Sequence, residues 1–498
     1  MLRQSGRTAY ANDRRRSAAL AVCLVGGFMT LLDVSIVNVA LPSIKAGLGA
    51  SSGDLQWVLS GYALAFGLIL VPSGRLGDAH GRRLMFMLGL AVFTLTSALA
   101  GLATGPIWLV TARFAQGLAG GMLSPQTVGL IQQLYRGAAR GRAFGLLGAV
   151  IGISTAIGPL LGGLLIQAGG PSDGWRWVFY VNVPIGVLAL PAARRYLPGK
   201  GEEEDERSSG RRARGLDPVG VGLLGLAVIS LLMPLVEAQE WHGSGKWLLI
   251  PVSLVLLTAF VFWERRQADP AVDLSLFSRQ SFSLGTALAL CYFAGFTALF
   301  FIFTLFLQNG LGRSALIAGL AITPFAAGSA ISAAVGGRLV ERAGRTLVAG
   351  GIVAVLVGLG ATMLAARLVS GPGVAWATAA PLLLAGIGSG LVIAPNQTIT
   401  LSEVPVSEAS TAGGVLQTAQ RIGSAVGIAV VGAMFFSEIP GGGQATGTAG
   451  ANPQMWADAF DRGLTVILAL VGASLLIALV DVVGTRGKRA RREEDVAA

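Results

Sequence analysis

Long apolar runs, repeated from one end of the chain to the other, limit what this sequence can fold into. They fall near 18–41, 56–73, 84–103, 106–134, 143–166, 177–196, 216–236, 247–263, 282–307, 315–337, 346–366, 377–400, 411–436 and 462–483. A bilayer core of about 30 Å needs roughly 20 apolar residues as helix, so each run reads as a membrane crossing. Inside lipid every backbone N–H and C=O must find its partner within the protein, and helices do this segment by segment. The expected fold is therefore an all-α integral membrane protein of about fourteen transmembrane helices.

The remaining composition agrees. Apolar residues make up 53% and charged residues 13%, about half the usual charged share. The 71 glycines suit closely packed bilayer helices. A net charge of +11 would raise nucleic acid as a partner in a soluble protein, but here the charges lie between the apolar runs. No GxxxxGK[ST] stretch is present, so no phosphate loop supplies energy from ATP. Cys23 and Cys291 lie within apolar runs, and His80 and His242 lie in loops. That is too sparse for a disulfide framework or a metal site, and no catalytic cluster is visible. The expectation is a non-enzyme with no cofactor, no metal and no nucleic-acid partner.

Fourteen crossings put both termini on one side. With the N-terminus inside, alternate loops hold 29 Lys and Arg on the inner side and 6 on the outer, with Arg113 and Arg421 within spans. The positive-inside rule then places both termini in the cytoplasm. Arg14-Arg15-Arg16 imitates a signal sequence, but the apolar run behind it is long enough to span and is read as a retained first helix. Loop 401–410 departs from the pattern, with Glu403 and Glu408 and no basic residue. Residues 197–215, with acids at 202–206 and then Arg211, Arg212 and Arg214, read as a solvated linker. Residues 438–460 read as an external loop.

GRLGDAHGR at 74–82 repeats as GRLVERAGR at 337–345. Both stretches follow the second span of a six-span group if 216–236 and 247–263 form an inserted pair. This divides the chain into an N-terminal six-helix half (1–196), a linker with two inserted helices (197–280) and a C-terminal six-helix half (281–498). Such duplication is common in secondary transporters, whose substrate site lies between the halves.

Four stretches together resemble the major facilitator superfamily, and within it the fourteen-span drug:proton antiporters. Gly74-Arg75-Leu76-Gly77-Asp78 through Gly81-Arg82-Arg83, echoed by Glu341 and Arg345, resembles the superfamily's cytoplasmic latch, with Ala79 where a basic residue is usual. Leu109 to Gly117 resembles the span 4 motif whose arginine, here Arg113, is linked to proton coupling. Gly148, Gly152, Gly158, Pro159, Gly162 and Gly163 resemble the stretch that marks exporters. Leu32 to Pro42, with Ser35 for the usual threonine, resembles the fourteen-span signature, as does Trp175 to Pro184; its aromatics fit the membrane-interface belt. The resemblance implies proton-driven export of amphipathic small molecules such as antibiotics or biocides, powered by the proton gradient. It implies a monomer in lipid of the bacterial inner membrane. The same fold could instead serve a symporter, or an exporter of one endogenous metabolite or lipid.

The residues themselves support a proton site. Asp33 lies eight residues from Leu41, or about 12 Å along a helix, and Arg113 seven residues after Pro106, or about 10 Å. Both therefore sit at similar depth below the outer boundary, and ionisable groups there mark function by default. Asn38, Phe293, Phe296, Phe300, Asn396, Gln397, Gln417, Gln420 and Arg421 are candidates for a substrate cavity.

Overall fold

The computed structural model describes residues 2–170, 172–199, 217–236, 243–267, 270–369, 371–439 and 453–497, with backbone only before Asp13 and after Gly484. Its α-helices are α1 (Leu2–Leu48), α2 (Ser52–His80), α3 (Arg82–Gly101), α4 (Pro106–Leu134), α5 (Gly137–Gly169), α6 (Gly174–Tyr180), α7 (Asn182–Tyr196) and α8 (Pro218–Val236). They continue as α9 (Leu249–Glu264), α10 (Gln280–Leu305), α11 (Ala315–Leu368), α12 (Val374–Ala377), α13 (Ala379–Thr400), α14 (Ala409–Phe436) and α15 (Pro453–Ala497). No strand occurs among the described residues. The chain is all-α, as the apolar runs require.

Twelve segments among the described residues are long and apolar enough to cross a membrane. One of them, Leu316–Leu368, spans 53 residues, more than two crossings need. It is interrupted at Gly344, where φ is 52°. The 29-residue α4 is not among the twelve; it carries Arg113, Gln116, Gln126, Gln132 and Gln133 along its length. Large apolar side chains such as Ile107 (81% exposed) and Leu188 (73%) stand on the outside, where in water they would be a liability and in lipid they are solvated. The linker at 197–215 lies almost wholly, and the loop at 438–460 mostly, outside the described residues.

Local chemistry fixes where the helices begin and end. Ser51 and Asp54 form a reciprocal capping box at the start of α2. Asp217 accepts from the Gly220 N–H at 3.0 Å to cap α8. Its other oxygen takes the Trp263 indole N–H of α9 at 2.8 Å, tying the inserted pair together. Gly81 ends α2 with φ 111° and opens α3 at once. Gly344, 263 residues later, breaks α11 with a positive φ of its own. The sequence repeat is thus a repeated turn, which needs a residue without Cβ.

The chain forms two compact units. One is Met1–Arg136, Ile157–Leu274 and Pro405–Thr418; the other is Gly137–Ala156, Ser275–Val404 and Ala419–Ala498. In the first, Met29, Phe86, Phe93 and Leu123 form one core, and Ile36, Trp175 and Phe179 belong to another. In the second, Tyr292, Phe303, Phe306 and Phe460 share a single large core. Close helix packing supplies the attraction here, because lipid tails are as apolar as leucine.

Gly81→Ala should lower the apparent melting temperature of the purified protein, since a Cβ at that φ costs about 1–3 kcal/mol. Gly163 is the control: it is helical, and a Cβ there would meet nothing within 4 Å. Gly163→Ala should hold or raise the melting temperature, because alanine favours helix by up to about 1 kcal/mol.

Candidate functional site

Within the first unit, α1, α2, α3, α4 and α7 bring polar side chains to one point. Asp33 on α1 is 0% exposed and Arg113 on α4 is 1% exposed. Arg113 Nη1 donates to Asp33 Oδ2 at 2.5 Å and to Gln116 Oε1 at 2.7 Å, and its Nε donates to the Val58 carbonyl at 3.1 Å. The guanidinium also lies over the Tyr62 ring, 4.2 Å from its centroid. Asp33 Oδ1 accepts from Gln116 Nε2 at 2.9 Å and from Asn182 Nδ2 at 3.3 Å. Ser97 Oγ accepts from both amides, at 3.2 and 3.1 Å, and donates to the Phe179 carbonyl at 2.9 Å. A buried pair is tolerable only when its remaining donors and acceptors are satisfied, and this shell does that.

The depth match read from the sequence therefore becomes a direct ion pair. Sequence reasoning missed Ser97, Gln116 and Asn182 as its partners. Gln116 carried a signal, standing three residues from Arg113 on the same helix face. Asn182 lay in the segment read as an interface belt, and that reading needs correcting. Trp177 is exposed, but Trp175 is fully buried against Phe179. Arg176 donates to the Gly101 and Ala103 carbonyls at 2.8 and 2.7 Å, closing the end of α3. Pro184 lacks the N–H that would bond the Tyr180 carbonyl, and the helix is interrupted at Val181. A new helix then begins with Asn182.

The first unit holds a second polar cluster at the α2–α3 turn. Asp78 accepts from Arg82 Nη2 at 2.8 Å, from the Ser410 and Thr411 N–H groups at 3.2 and 2.8 Å, and from Thr411 Oγ1 at 2.9 Å. Its carboxylate caps the N-terminal end of α14, where anions are stabilised. Arg82 also reaches Ser410 Oγ, Gln133 Oε1 and the Val406 carbonyl. At the end of the loop 401–410, Arg82 thus holds a hydroxyl and a carbonyl. Arg83 turns away from Asp78 and donates to the Arg194 carbonyl. A Cβ on Gly74 would meet the Ser410 carbonyl at 2.5 Å, so only glycine fits that approach.

The repeat in the second unit copies this arrangement in part. A Cβ on Gly137, at the start of α5, would lie 3.5 Å from Glu341 Oε1, so Glu341 sits at a helix start as Asp78 does. Arg345 departs from the latch expected for it. It pairs with Asp481 of α15 at 2.5 Å and donates to Asn396 Oδ1 at 3.0 Å and the Ser281 carbonyl at 2.9 Å. Asp481 is 2% exposed on α15. Asn396 is a further correction: it is 4% exposed and held between Arg345 and the Gly285 carbonyl, not free to line a cavity.

The glycines of α5 divide between the units. Cβ atoms on Gly148 and Gly152 would meet Ala333 and the Ala326 carbonyl of α11 at 3.0 and 2.9 Å. On Gly158 and Gly162 they would meet Ser35 and Ile36 of α1 at 2.4 and 2.9 Å, whereas Gly163 touches nothing, and α5 stays helical through Pro159. Phe293, Phe296 and Phe300 form a chain of ring contacts at 5.4 and 5.1 Å, closed by Phe325. Asn38 is exposed and donates to the Val34 carbonyl. Gln397 is buried, while Gln417, Gln420 and Arg421 are half-buried.

Residues 23–428 match the Major Facilitator Superfamily. The chain belongs to that superfamily. It is 37% identical to a probable actinorhodin transporter of Streptomyces coelicolor over 87% of this chain and 74% of the relative. It is 33% identical to the multidrug resistance protein Stp of Mycobacterium tuberculosis over 85% of this chain and 76% of that protein. Identity to the puromycin resistance protein pur8 of Streptomyces alboniger is 34%, over 94% and 91%. The human organic anion transporter MFSD10 shares the fold, with TM-score 0.65 and 14% identity over 93% of this chain and 99% of that one. This superfamily member is a multi-pass membrane protein and a transporter rather than an enzyme.

Arg113→Ala leaves Asp33 buried without its cation and should destabilise the protein by about 3–5 kcal/mol. Adding Asp33→Leu to that variant should recover part of the loss. Apparent melting temperatures of the detergent-solubilised single and double variants measure both effects.

Proposed function

We propose that this transporter exports amphipathic small molecules of the antibiotic and drug class from the cytoplasm in exchange for protons. The cargo half of the reading is supported by relatives named for antibiotic export or resistance over most of their length. The proton half is carried by one observation, the buried Asp33–Arg113 pair. When Asp33 takes a proton, Arg113 keeps the Val58 carbonyl, Gln116 Oε1 and the Tyr62 ring as partners. The cation therefore stays in place when its counter-charge is neutralised, and Asp33 can load and unload while the helices around it hold together. The Asp78 cluster at α14 and Glu341 at α5 are assigned as latches that form in one state and part in another, giving alternating access.

In this reading α11 supplies two crossings and α4 one more, for fourteen in all, with both termini cytoplasmic in the bacterial inner membrane. Two six-helix halves, 1–196 and 281–498, flank the inserted pair, and the protein acts as a monomer powered by the proton gradient alone. The Phe293, Phe296 and Phe300 rings offer an aromatic wall for cargo.

Expression in a pump-deficient bacterial host should raise resistance to several antibiotics, and Asp33→Asn should return it to background with normal membrane levels. Arg113→Lys keeps the charge but not the planar fork, and should lose about tenfold in transport rate, less than Arg113→Ala. In respiring inside-out vesicles, cargo should accumulate in the lumen and release protons from it, and an uncoupler should stop both. Accumulation that survives the uncoupler would defeat the antiport reading. A second reading, a dedicated exporter of one compound, is favoured by relatives named for a single antibiotic. It expects protection against one member of the panel only.

A further inference from the structure

We propose that Asp217 and Glu264 bind one proton between them, forming a proton site on the inserted helices that is separate from Asp33. This site does not depend on the role proposed for Asp33.

Asp217 precedes α8 and Glu264 ends α9, and both are buried, at 7% and 3% exposure. A Cβ built on Gly220 would lie 2.5 Å from Asp217 Oδ2 and closer still to Glu264 Oε1, so the two oxygens converge on one point. Hydrogen bonding around them is uneven. Asp217 Oδ1 accepts from the Gly220 N–H at 3.0 Å, and Oδ2 accepts from the Trp263 indole N–H at 2.8 Å. Glu264 Oε2 accepts from the Val272 N–H at 3.4 Å. Glu264 Oε1, the oxygen that meets Asp217 at Gly220, is buried with no hydrogen-bond partner.

Two ionised carboxylates in that position would repel each other, and one of them would keep a bare buried oxygen. A proton on Glu264 Oε1 removes both costs. Its O–H donates to Asp217 Oδ2, which has a lone pair left beside the bond from Trp263. The proton then bridges α8 to α9. Among the described residues, the charged groups that act on Glu264 are Asp217 from the start of α8 and Arg75 from α2. With the proton bound these three side chains carry no net charge; without it they carry one negative charge. The cluster that Val272 joins, with Val71 of α2, Phe260 of α9 and Val415 of α14, is apolar and adds no counter-charge. A metal ion fits poorly here. A hard cation needs about six oxygen ligands, and three N–H donors already occupy this pair.

The test is infrared difference spectroscopy of the full-length protein reconstituted in lipid, titrated with pH. At mildly acidic pH, where a free carboxyl is ionised, wild type should show a protonated-carboxyl stretch that is missing in Glu264→Gln. That change is nearly isosteric, and its amide can still donate to Asp217. Asp217→Asn removes the like charge, so the pH at which the band is half-developed should fall by at least about one unit. Asp33→Asn should leave the band in place. The inference is overturned if Glu264→Gln removes no band, if Asp217→Asn does not lower the midpoint, or if Asp33→Asn removes the same band. A midpoint that moves when sodium is exchanged for choline overturns it too, since the site would then hold a metal ion.

Discussion

Burying an arginine and an aspartate together inside packed helices sets terms that the surrounding structure has to meet. Arg113 and Asp33 have almost no exposed surface, and each unsatisfied donor or acceptor on a buried ion costs free energy that apolar packing does not return. The α2 backbone gives up the Val58 carbonyl, α3 gives Ser97, α4 gives Gln116 and α7 gives Asn182. The break at Val181 follows the same logic: it frees a helix start for Asn182 while the Phe179 carbonyl is taken by Ser97. The shape of the first unit is in this sense organised around one charge pair.

The α2–α3 turn is built on the same principle. Asp78 trades side-chain and backbone donors, including two N–H groups at the start of α14. Its side chain is 5% exposed, nearly as enclosed as that of Asp33.

Hydropathy made the helices legible, because crossing lipid demands length and apolar side chains and little else. The GRLGDAHGR repeat was legible as a repeat, and the structure places a turn in each copy at Gly81 and Gly344, whose backbone angles other residues avoid. Depth put Asp33 and Arg113 at one level without showing that they touch. What could not be read was rotation about each helix axis, and that decides neighbours. Ser97 and Asn182 are small polar residues in apolar stretches, common enough in membrane helices to carry no signal until α3 and α7 are placed beside α1. Arg345 was misassigned for a related reason: its partner Asp481 stands on α15, far away in sequence, and only packing brings the two together.

The central proposal is that Asp33 carries the proton exchanged for cargo. It is tested most directly by counting protons released when cargo binds to purified protein in a weakly buffered solution, away from any membrane gradient. Wild-type protein should release protons on binding, and Asp33→Asn should bind cargo while releasing none. Equal proton release from both proteins would place the coupling group elsewhere and contradict the account.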